Sequence, residues 1–114
     1  MPGVIVVTGL EAASNADMLQ GTRLQSMPGP GVLTIEAQST ANDATNDMSV
    51  GLQLPGGDNP LSGARVPAGV TAGGLNQLDK MIASFAVTQG GHAVFSVIES
   101  GTAVLFWRAT YKPR

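Results

Sequence analysis

The sequence predicts an all-β protein: an antiparallel β-sandwich or jelly-roll-like barrel of about six to eight strands with an extended N-terminal arm. Three observations predict it. Among the 114 residues, 15 Gly and 7 Pro separate short apolar runs, the pattern of strands joined by turns. Several of those runs alternate apolar and polar residues with period two, as a strand with one face on a core must. The only Trp, the only Tyr and two of three Phe fall in two neighbouring runs near the C-terminus, and because aromatic side chains bury the most area, the core centres there. At this length one domain buries roughly two-thirds of its unfolded surface. With no cysteine in the chain, disulfides and thiolate metal sites are excluded, and stability comes from packing or assembly.

Residues 1–9 are read as an arm or edge strand and residues 10–114 as a single β-sandwich domain. Val4-Ile5-Val6-Val7 lacks alternation, as a segment covered on both faces does, and an apolar, uncharged edge needs a partner within the domain or on a neighbouring chain. Leu10 to Gly21 suits one or two helical turns ending at Gly21, or a loop with a short turn. Pro28-Gly29-Pro30-Gly31 bends the chain. Val32 to Gln38 places Leu33, Ile35 and Ala37 inward and Thr34, Glu36 and Gln38 outward. Met48, Val50, Leu52 and Leu54 alternate in a second strand, closed by the turn-forming Pro55 to Pro60 loop. Arg65 to Val70 holds a short edge strand interrupted by Pro67, and Thr71 to Gly74 is a turn. Leu75 to Asp79 is read as a turn or helical piece, and Lys80 to Val87 as a strand. His92 to Glu99 and Thr102 to Lys112, joined at Ser100-Gly101, read as an antiparallel hairpin that closes a meander. In the second run Ala103, Leu105, Trp107, Ala109 and Tyr111 share the inward face.

Chemistry is sparse. Charged residues make up 12% of the chain and the formal net charge is −2, so nothing draws it to nucleic acid or an anionic membrane. His92 is the only histidine, which leaves no zinc cluster, no metal-dependent jelly-roll enzyme and no triad except one built on that residue; no catalytic residue is assigned. Asn42-Asp43-Ala44-Thr45-Asn46-Asp47 and Asp58-Asn59 offer oxygen ligands, yet EF-hand spacing is missing and Asn and Asp are ordinary turn formers; no metal or cofactor is assigned. The glycine pairs at residues 56, 73 and 90 do not open a phosphate-binding helix. Met1 to Val7 is too short to span a membrane and lacks the basic start of a secretory signal, so synthesis in a cytoplasm is expected.

Taken together, the apolar arm, Leu19-Gln20-Gly21-Thr22 before the Met27-Pro28 turn, the Val32 to Gln38 strand, Val66-Pro67-Ala68-Gly69 and the ending Tyr111-Lys112-Pro113 resemble the small β-sandwich decoration, or cement, proteins of tailed-phage heads. The resemblance implies a non-enzymatic virion component, made in the host cytoplasm and placed on the capsid surface. Its partners would be the major capsid protein and itself, as a trimer or dimer. The residues expected at protein interfaces are Val4, Ile5, Val6 and Val7 of the arm and the basic Arg108, Lys112 and Arg114 near the end. The alternative is a carbohydrate- or receptor-binding module of a phage tail or fibre, which requires an exposed aromatic platform.

Overall fold

The computed structural model describes residues 3–40, 47–67, 81–100 and 103–114. Every regular element among them is a β-strand: β1 (Ile5–Glu11), β2 (Ser26–Met27), β3 (Gly31–Ser39), β4 (Asp47–Gln53), β5 (Leu61–Arg65), β6 (Met81–Val87), β7 (Gly91–His92), β8 (Val94–Ser100) and β9 (Leu105–Pro113). They form a four-stranded sheet in the order β1-β9-β3-β6, a three-stranded sheet in the order β5-β4-β8, and the small β2-β7 ladder. The predicted all-β sandwich is the observed fold.

The pairings are nested. β1 pairs with β9, Asn15 bridges to Val97 of β8, β2 pairs with β7, β3 with β6 and β4 with β5, every one antiparallel. The described chain is therefore one long antiparallel ribbon doubled back at the 54–60 loop and rolled up. Rolling brings β9 beside β3 and β8 beside β4, and sends successive stretches of ribbon to alternate sheets. That is the winding of a jelly roll.

The core lies between the sheets. Leu33, Ile35 and Ala37 of β3 and Leu105, Trp107, Ala109 and Tyr111 of β9 face Met48, Val50 and Leu52 of β4 and Phe95 and Val97 of β8. Phe95 meets Trp107 edge to face, with ring centroids 5.5 Å apart and planes at 80°. Tyr111 is fully buried and its hydroxyl donates to the Gly29 carbonyl at 2.9 Å, with that of Pro30 at 3.1 Å, tying the end of β9 to the bend before β3.

The expected closing hairpin is not formed. β8 and β9 lie in different sheets, so the meander of β6, β8 and β9 is absent as well. Each run buries its aromatic face, but the two faces oppose one another across the core, where Phe95 and Trp107 interlock, instead of lying side by side. Four other expectations are corrected. The arm does alternate once paired: Ile5 and Val7 pack on the core while Val4 and Val6 are exposed. Leu10 continues β1 and is not part of the following stretch; of the two readings of that stretch, helical turns or a loop with a short turn, the second holds, with Met18 to Gln25 in turns and the Thr22 N–H donating to the Leu19 carbonyl at 3.0 Å. Gln38 is buried, at the end of β3 where the Ser39 N–H donates to the Pro67 carbonyl at 2.9 Å. The edge strand near Arg65 ends at that residue, before Pro67, and begins at Leu61. The expectations for Asn42 to Asn46, Ala68 to Val70, Thr71 to Gly74, Leu75 to Lys80 and Gly101 lie outside the described residues.

Candidate assembly surface

Alternation that buries one face of the four-stranded sheet turns the other face outward. The register sets its rows. One row runs Val6, Thr110, Thr34, Ser84, and the next Thr8, Arg108, Glu36, Ile82. Leu10 lies beside Phe106 in a third. Large apolar side chains are unusually open here, with Val6 51%, Leu10 54% and Ile82 60% exposed. The hydroxyls of Thr34 and Ser84 hydrogen-bond across β3 and β6 at 2.9 Å.

Charge on this face is neutralised at its centre. Arg108 Nε donates to Glu36 Oε2, between register neighbours on β9 and β3. That hydrogen bond holds the guanidinium above its ordinary pKa; partial burial opposes the shift and the carboxylate charge adds to it. Lys112 is exposed four positions further along β9.

The sheet margins are treated differently from one another. The free edge of β8 is covered by residues 14–18. Asn15 and Val97 exchange backbone hydrogen bonds at 3.0 and 2.9 Å, the Met18 N–H donates to the Phe95 carbonyl at 2.6 Å, and the Phe95 and Glu99 N–H groups donate to Asp17 Oδ1 at 3.3 Å and Ser14 Oγ at 2.9 Å. β5 carries exposed Arg65 and an irregular register opposite β4, with Gly63 at φ +67°. Such charges and irregularities deter strand addition. β1 and β6, the two margins of the four-stranded sheet, have neither device: β6 contains no charged residue and no proline, and β1 only Glu11 at its end.

Of the residues expected at interfaces, Val4, Val6, Arg108, Lys112 and Arg114 reach solvent at least in part, and Val6, Arg108 and Lys112 share the outer face; Ile5 and Val7 point to the core. Arg108 is not a free cation, because Glu36, 72 positions away in sequence, engages it. Sequence reasoning passed over Leu10 and Ile82. A signal for Ile82 was present, since it is the one large apolar residue at an outward position of the Lys80 to Val87 alternation.

Other chemistry is limited. His92 is 54% exposed and its Nε2 lies 3.4 Å from Asp17 Oδ2; that carboxylate also accepts the Leu19 N–H at 3.1 Å. Ser26 is the register neighbour of His92, but no hydrogen bond joins its hydroxyl to the imidazole, so the three do not form a relay. Among the described residues no three His, Cys, Asp or Glu gather as metal ligands, and no helix is long and apolar enough to cross a membrane. A shallow groove of about 280 Å³ crosses the outer face of the three-stranded sheet over Gly51, edged by uncharged Ser49, Gln53, Asn59, Ser96 and Ile98. Trp107 is buried and offers no platform to a ligand. Compared with protein-family models, with curated proteins and with solved structures, the chain shows no match.

Proposed function

We propose that the protein is a structural component that acts by binding other proteins, a decoration protein laid on a viral capsid shell and contacting the major capsid protein. The observation that carries this reading is the outer face of the four-stranded sheet. It is broad, rich in threonine and open aliphatic side chains, and electrically neutral at its centre, where Arg108 pairs with Glu36. That centre loses little on being covered, because its two charges already satisfy one another, and the exposed charge of Lys112 lies toward one end of the face. Its size also matters. Four strands of seven to nine residues span roughly 19 by 24 to 31 Å, about 450 to 580 Å² flat and less than the roughly 800 Å² per partner of a standard stable interface. One copy alone would hold weakly; repeated copies on a lattice gain from multivalency.

Co-sedimentation with empty phage-like capsid shells, after the solution mass is measured by light scattering, tests the reading. Wild type is expected to sediment with the shells, and Thr110→Lys, which places an unpaired charge mid-face, to lose at least about tenfold in occupancy while its circular dichroism is unchanged. A protein that ignores shells under all conditions removes the reading. The groove over Gly51, neutral and lined by Ser, Asn and Gln, is what a glycan-binding module would use, although it lacks an aromatic ring. Binding to neutral oligosaccharides that is lost on Gly51→Leu would move the assignment there.

A further inference from the structure

The two unguarded margins of the four-stranded sheet are complementary to each other. At the ends of β3, the Thr40 N–H donates to the Val104 carbonyl at 3.0 Å and the Pro30 carbonyl accepts the Arg114 N–H at 3.2 Å. Even-numbered positions of β3 thus aim their backbone groups at β9. Because these groups alternate sides along a strand, odd positions aim at β6, where they meet Val87, Phe85, Ala83 and Met81. The N–H and C=O groups of Ile82, Ser84 and Ala86 therefore point away from the sheet, and none has a partner among the described residues. The same alternation carried through β9 to β1 leaves those of Val6, Thr8 and Leu10 pointing outward at the opposite margin.

Each margin is seven residues long. Through three antiparallel pairings β1 and β6 run in opposite directions, so a copy displaced sideways in the plane of the sheet brings its β1 antiparallel to β6 without being turned over. Beside β6 a cleft of about 470 Å³ separates Ser84 to Ala86 from Leu54, Asp58 and Pro60, and none of the described residues fills it.

We infer that β6 of one copy receives β1 of a second copy, extending the four-stranded sheet from subunit to subunit. The full-length register sets Leu10 of the incoming strand beside Ile82, Thr8 beside Ser84 and Val6 beside Ala86. Each of these pairs exchanges two backbone hydrogen bonds, because the groups of both members have no partner among the described residues. On the outer face the register matches an exposed leucine with an exposed isoleucine, and it extends the Thr34–Ser84 hydroxyl pair by another threonine. A shift of two residues sets Thr8 against Ile82 and Val6 against Ser84 and loses both matches. The contact is head to tail, so it closes into a ring or runs on as a filament. This deepens the assembly reading by naming the self-contact, and it enlarges the sheet face presented to a shell.

The absence of cysteine gives a clean background for cross-linking. A hydrogen-bonded antiparallel pair places Cα atoms about 5.5 Å apart, within disulfide range. Thr8→Cys and Ser84→Cys proteins, mixed under mild oxidation, are expected to give a covalent dimer of one with the other, while each alone stays at 11.6 kDa on a denaturing gel. A Ser84→Lys protein, folded by circular dichroism, is expected to fall to the mass of one chain. Dimers of Ser84→Cys with itself would mean a two-fold β6–β6 contact and overturn the proposal. So would failure of the mixed pair to cross-link, or an unchanged oligomer in Ser84→Lys. Shell binding is read separately by co-sedimentation, so a failed cross-link with retained shell binding rejects the edge contact alone.

Discussion

Gly9 sits under the indole of Trp107. A Cβ built there would lie 2.6 Å from Trp107 Cε2, Cζ2 and Nε1, so the ring and the backbone of β1 are packed to a distance that only glycine permits. Gly9→Ala forces either the largest core side chain or the margin strand to move, and is expected to cost about 1–3 kcal/mol, read as a lower urea midpoint with unchanged slope. The signature of overpacking is that Gly9→Ala hurts while an alanine at the exposed Gly3, where a Cβ meets nothing, does not. At this scale the inward set Leu105, Trp107, Ala109 and Tyr111 was readable from period two alone. The Gly9–Trp107 contact and the Glu36–Arg108 pair were not, because each depends on residues far apart in sequence being brought to neighbouring strands.

Among elements, the best-defended is β8. Its free edge is closed by a segment with no regular structure of its own, and Asp17 is the clasp: one oxygen accepts the N–H groups of Leu19 and Phe95 and the other faces His92. Asp17→Ala leaves the N–H of Phe95, a residue at the centre of the core, without an acceptor. About 1–3 kcal/mol of destabilisation is expected in chemical unfolding, with partial recovery in Asp17→Asn, whose side-chain oxygen still accepts. An unchanged midpoint in Asp17→Ala would show that the segment closes the edge through Asn15 and Met18 alone. β1 and β6 differ from β8 in that, among the described residues, no segment hydrogen-bonds to their outer edges, so the self-contact inferred for them is a property of strand edges, not of any special side chain. Placement of β3, β4 and β6 within one residue, and of β9 within three, was legible because each alternates. β5 was misplaced because Leu61-Ser62-Gly63-Ala64-Arg65 is short, bulged and weakly patterned.

At the scale of the whole molecule, nested pairing makes the 54–60 loop the tip of the ribbon and brings the two ends of the chain together, with Ile5 opposite Tyr111. Gly56 and Gly57, at φ +98° and +100°, form that tip, which is exposed. A permutant opened at Gly57, with a short linker joining residue 114 to residue 1, exchanges one local hairpin for another: β4–β5 is no longer continuous, but β9–β1 becomes so. It is expected to unfold cooperatively and to refold within about tenfold of the wild-type rate, since loop-closure cost grows only slowly with length. A permutant that stays unfolded would assign the tip a role beyond closing the ribbon.

What the sequence determined by itself is which side of each alternating strand is wet and which is dry, and hence an all-β sandwich with Trp107 and Tyr111 in its core. That information is local, carried by a two-residue period and by turn-forming Gly, Pro, Asn and Asp. Tertiary structure decided which strands are neighbours. Backbone hydrogen bonds are the same for every residue, so any amphipathic strand can pair with any other, and adjacency in sequence favoured a β8–β9 hairpin. Winding the ribbon places Phe95 and Trp107 on opposing sheets, where both aromatic faces are buried against each other. The same winding leaves β1 and β6 as the outer strands of the four-stranded sheet.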